Sequence, residues 1–210
     1  DVRHAVSIND WPKCYIAFDR LLGTIDSVSS LVGGRIDHIG IPPSAAGEIE
    51  ILSEEVSERR FCESLEKVLV EGRIGGITGN LDYSRVDSSA LMNVLASAEE
   101  HVASPRGTTM QNLAQTMLSL RNAACEGNWR IVASMLPQAK AHTKLAEDQT
   151  LQNRTSFSTT KGYQSDNMIS TRNNEPPPPY VHIRDELEIL SAQLAFEAQT
   201  RSLVAALNEG

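Results

Sequence analysis

Five histidines (His4, His38, His101, His142, His182), three cysteines (Cys14, Cys62, Cys125) and a glycine run, Gly72–Gly79 (GRIGGITG), are the residues from which a reaction centre would have to be drawn. The histidines are scattered, with no His-x-x-x-His pair and no neighbouring cysteine, so their spacing signals no zinc site. The cysteines are odd in number and far apart, which fits neither a disulfide framework nor a metal knuckle. None sits beside a signalled general base, and they read as small core fillers rather than nucleophiles. The glycine run lacks the terminal Gly-Lys-Ser/Thr of a phosphate-cradling loop, and a helix rather than a strand precedes it; it reads as a connector. Glu55 and Arg59 stand four apart, the spacing of a solvent-facing ion pair on a helix, not of a buried carboxylate dyad. The expectation is no catalytic, cofactor-binding or metal-binding residue, and no enzyme.

What the residues do show is a long repeat. Glu48–Gly72 laid on Glu186–Gly210 without a gap gives 10 identities in 25 positions, among them Glu48/Glu186, Ile51-Leu52-Ser53 on Ile189-Leu190-Ser191, Ser64-Leu65 on Ser202-Leu203, and Glu71-Gly72 on Glu209-Gly210. Val2–Trp11 lies on Leu120–Trp129, sharing Arg3/Arg121, Ala5/Ala123 and Trp11/Trp129. The two tryptophans are 118 residues apart and the two closing glycines 138 apart, so the second copy carries 20 more residues between its elements. The stretch 150–179, rich in Ser, Thr, Asn, Gln and Pro, is expected to be that insertion and to form a mobile loop, because it has too few apolar residues to offset its chain entropy.

The elements that must hold these letters are helical. Met110, Leu113, Met117, Leu120 and Ala124 are spaced three and four apart, the stripe of an amphipathic helix over Thr109–Glu126 that Gly127 stops. A second helix opens at Trp129, and Pro12 after Trp11 suits a first helical turn. The pair forms an αα-hairpin in which a large ring covers the corner, with Ala5 and Ala123 as the small residues beneath it. Glu48–Val70 and Asp185–Asn208 read as long helices ended by Gly72 and Gly210 in the left-handed conformation. Asp87 or Ser88 caps a helix over Ser89–Ala103 that Pro105 closes. Period-two alternation is lacking, so the fold class is all-α: an αα-hairpin repeat array, solenoid- or bundle-like. Copy one is expected over 1–72, a glycine-rich link with connecting helices over 73–118, and copy two over 119–210. The chain reads as a piece of a longer array.

Partners follow from charge and composition. Nineteen Lys and Arg against 27 Asp and Glu leave a net charge of −8, which disfavours a broad nucleic-acid face. The longest apolar runs are a few residues, too short to cross a bilayer, and the N-terminus lacks a secretory signal, so a cytoplasmic location is expected. Pro177-Pro178-Pro179-Tyr180 fits the Pro-Pro-x-Tyr pattern that WW domains bind. Arg-x-Ala-x5-Trp, a helix ending in Glu-Gly, and Val86-Asp87-Ser88-Ser89-Ala90-Leu91 after the glycine-rich link together resemble the degenerate helical repeats of very large protist proteins of flagella and cytoskeleton. That resemblance implies a scaffold contacting neighbouring repeats and cytoskeletal proteins in a cilium, flagellum or cell cortex. The alternative is a regulatory or small-ligand-binding helical domain of a larger enzyme, with a pocket near the Trp corners.

Overall fold

A computed structural model describes residues 2–7, 10–31, 41–73, 88–97, 104–158 and 179–209. Every regular element among them is a helix: α1 (Val2–Ser7), α2 (Trp11–Leu31), α3 (Pro43–Glu71), α4 (Ser88–Ala96), α5 (Pro105–Cys125), α6 (Trp129–Ser158) and α7 (Pro179–Glu209). The protein is all-α, and none of these helices is long and apolar enough to cross a membrane.

The helix ends are written in the sequence. Pro105 does not close α4; it opens α5, where its fixed φ suits the first turn, and Ser104 before it is the cap, accepting the Gly107 amide on its hydroxyl at 3.0 Å. α5 stops on Gly127, the described glycine with a left-handed backbone (φ 67°). Its amide bonds the Ala124 carbonyl at 3.0 Å and the Asn128 amide bonds the Ala123 carbonyl at 2.8 Å, the paired bonds of a Schellman ending. Gly72 departs from expectation: it has no left-handed backbone, and its amide still bonds the Val68 carbonyl at 3.0 Å as a continuation of the helix. Gly210 lies outside the described residues, as do the glycine-rich link from 74 onward and the Asp87 cap. α6 runs on to Ser158. The expected loop is therefore helical over 150–158, its remainder up to 178 lying outside the described residues.

Two compact units result, Asp1–Ser57 and Glu58–Gly210. The division falls within α3, whose two halves contribute to different cores. Val56 is buried with Val2, Ala5, Trp11, Cys14 and Phe18 in the first unit. Phe61, Cys62, Leu65 and Leu69 are buried in the second with Met110, Leu113, Met117 and Leu120 of α5, Val132 and Leu136 of α6, and Ile183, Leu187 and Leu190 of α7. Closing off this apolar area from water, more than helix propensity, is what holds the helices together.

Candidate functional site: a corner built twice

One backbone hydrogen bond recurs at both corners. The Ala5 carbonyl accepts the Asp10 amide at 3.0 Å, as the Ala123 carbonyl accepts that of Asn128. Asp10 then caps α2, its carboxylate accepting the Lys13 amide at 3.2 Å, and Asn128 caps α6 through the Ile131 amide at 3.4 Å. Trp11 and Trp129 are the first residues of α2 and α6, and both are buried, as are Ala5 and Ala123. Trp11 also meets Tyr15 with ring centroids 6.2 Å apart. The Lys13 hydrogen bonds hold the Asp10 carboxyl below its ordinary value.

The arginine that precedes each alanine by two positions makes the other shared contact. In copy two, Arg121 Nε donates to Glu186 Oε1 at 2.8 Å and Nη2 to Oε2 at 2.7 Å, a two-pronged pair joining α5 to α7. Nη2 also donates to the Leu69 carbonyl at 2.6 Å, so one guanidinium ties α3, α5 and α7. In copy one, Arg3 Nε donates to Glu48 Oε1 at 2.6 Å and Nη2 pairs with Oε2, joining α1 to α3 in the same two-pronged way. Surroundings separate the two pairs. Side chains of Arg121 and Glu186 are 2 % and 0 % exposed, those of Arg3 and Glu48 74 % and 40 %. Hydrogen bonding between Arg3 and Glu48 raises the guanidinium pKa and lowers that of the carboxyl.

A second polar cluster, not anticipated from sequence, lies inside unit two. The Tyr180 hydroxyl donates to Glu66 Oε1 at 2.9 Å and lies 3.1 Å from the Thr150 hydroxyl; Arg106 approaches Glu66 at 4.0 Å, and Ser104 donates to Glu58. Residues of α3, α5, α6 and α7 thus meet at one junction. Burial raises the Glu66 carboxyl, with the Tyr180 hydrogen bond opposing, and burial followed by the Glu66 charge raises the Tyr180 phenol. Burial likewise pushes the Cys62 thiol up to about 11, which disfavours a thiolate nucleophile. Cys14 is buried as a core filler too, whereas Cys125 is exposed and fills nothing.

The Pro-Pro-x-Tyr reading meets a physical obstacle here. A WW groove needs the tyrosine ring for itself, but Tyr180 is 2 % exposed, inside the core of unit two, while Pro177 and Pro178 lie outside the described residues. Glu55 is exposed and Arg59 pairs instead with Glu63, four residues on, at 3.6 Å. His142 stands 3.1 Å from the Thr116 hydroxyl, and among the described residues no three of His, Cys, Asp and Glu group as metal ligands would.

One cleft of about 520 Å³ opens in unit one, lined by Val2, Ala17, Leu21, Ile49 and Leu52 with Arg3, Arg20 and Glu48 at its polar side. Comparison with known proteins returns no match: no family model, no curated protein and no solved structure is significantly similar to this chain.

Proposed function

We propose that this chain is a non-catalytic helical-repeat segment whose work is to hold other proteins on its helix faces, in an array of the kind found in cytoskeletal or flagellar scaffolds. The observation that carries the reading is the recurring corner: an alanine, a tryptophan and a two-pronged Arg–Glu pair in each copy, with a side-chain oxygen capping the second helix from the same position, Asp10 in one and Asn128 in the other. Duplication of a packing device is the signature of proteins whose repeats stack and present extended surfaces. Large apolar side chains left open on helix faces, Ile51 and Phe196 among them, supply contact points of the sort such surfaces use.

The unit-one cleft favours a second reading, a small-ligand site with Arg20 as the cation facing an anionic group. One experiment separates the two. A photo-crosslinking residue placed at Ile51 or at Phe196 is expected to give discrete protein adducts that excess unlabelled chain displaces. Absence of displaceable adducts at both positions, together with a metabolite that raises the melting temperature and loses its effect in Arg20→Ala, would overturn the scaffold in favour of the ligand site.

A further inference from the structure

α3 and α7 end on the same letters but in opposite surroundings. Leu65 and Leu69 are 0 % exposed, and their counterparts Leu203 and Leu207 are 66 % and 80 % exposed. What covers the end of α3 is known: Leu65 and Leu69 share a core with α5, and Arg121 donates to the Leu69 carbonyl. Two polar positions fasten the same stretch, Glu58 to Ser104 at the start of α5 and Glu66 to Arg106 and Tyr180. On α7 those two positions are Phe196 and Val204, also exposed. Phe196, Leu203 and Leu207, spaced seven and four apart, make one apolar stripe with Val204 at its edge.

We propose that the last three turns of α7 are the seat of a further repeat of the same kind. Its docking element is an amphipathic helix like α5, with an arginine at the place of Arg121 donating to the Leu207 carbonyl. Because Phe196 and Val204 replace Glu58 and Glu66, that incoming repeat has apolar groups where α5 and α7 here have Arg106 and the Tyr180 hydroxyl; a charge buried against Val204 would find no partner. This rests on the repeat reading above, and it adds the face, the register and the chemistry of the occupant.

The test lengthens the chain by appending a second Arg73–Gly210 after Gly210, carrying Arg106→Leu and Tyr180→Phe in the appended copy, and reads amide hydrogen exchange over residues 196–208. Exchange there is expected to slow by roughly tenfold or more relative to the 210-residue chain, as befits a segment moved from a surface into a core. Leu203→Asp with Leu207→Asp in the first copy should abolish the slowing while leaving exchange at the Trp129 corner unchanged. Equal exchange in the two chains overturns the proposal. So does an appended copy that stays unfolded, since docking on α7 is what should fold it. Protection already present in the 210-residue chain and rising with its concentration overturns it as well, by showing that two α7 ends pair with each other. A metabolite bound in the unit-one cleft would defeat the scaffold reading without altering any of these exchange rates, so the two failures are distinguishable.

Discussion

Replacing Arg121 with alanine removes three hydrogen bonds at once and leaves the Glu186 carboxylate, 0 % exposed, with neither arginine nitrogen that held it. The Leu69 carbonyl loses its donor in the same step. Breaking a buried ion pair from one side typically costs about 3–5 kcal/mol, because the remaining charge stays in a low-dielectric interior after losing its counter-ion. For a unit of this size each kcal/mol moves the midpoint by about 2–4 °C, so a drop of roughly 6–20 °C is expected in thermal unfolding followed by circular dichroism. Arg3→Ala breaks the equivalent pair where both side chains face water, and screening there makes the loss small. A double variant, Arg121→Met with Glu186→Leu, should recover most of the loss, since apolar groups of similar volume leave no stranded charge. Equal melting of the Arg121→Ala and Arg3→Ala chains, or a double variant no better than the single, would refute the reasoning.

Other outcomes follow from the same contacts. Trp129→Ala should cost about 3–5 kcal/mol in urea unfolding, as for large buried aromatics. Because burial raises the Glu66 carboxyl, the native state binds that proton more tightly than the unfolded chain, so stability falls as pH rises above the ordinary glutamate value of 4.5 and through the folded one; Glu66→Gln should flatten this part of the pH–stability curve. Tyr180→Phe should cost about 1–2 kcal/mol by removing the donor to Glu66, a change read from the same curves. Deleting residues 159–178 with a short linker should leave the melting temperature within a few degrees, since the length of chain between two anchored ends enters closure entropy only logarithmically, whereas a deletion that also takes Thr150 and Tyr180 should lower it by more.

Sequence patterning reached the helices because their spacing is a local signal, and it reached the recurring residues because recurrence is read from the chain itself. Met110, Leu113, Met117 and Leu120 announce α5 by their spacing, and Ala5, Trp11, Ala123 and Trp129 announce themselves by recurrence. The Arg–Glu pairs were half legible. Arg3 matched Arg121 in one alignment and Glu48 matched Glu186 in another, yet repeat alignments give equivalence and not contact; two charged letters of opposite sign recurring in both copies was the available cue. Pro105 misled because proline both ends and starts helices, and Ser104 beside it was the cue that it starts one. Thr150 looked like loop by composition, but its hydroxyl lies beside that of Tyr180 and its chain continues α6. The junction of Glu66, Thr150 and Tyr180 draws on helices separated by up to 114 residues, a tertiary meeting that no local pattern reports.

If one corner is built twice, the two indoles of the chain, Trp11 and Trp129, report on it separately. Acrylamide quenching of Trp129→Phe reads Trp11, and that of Trp11→Phe reads Trp129. Both indoles should be shielded in the native chain; Ala5→Leu should expose Trp11 alone and Ala123→Leu should expose Trp129 alone, each by overpacking its own corner. An indole freely quenched in its unsubstituted corner, or two leucine substitutions that act on the same indole, would contradict the account.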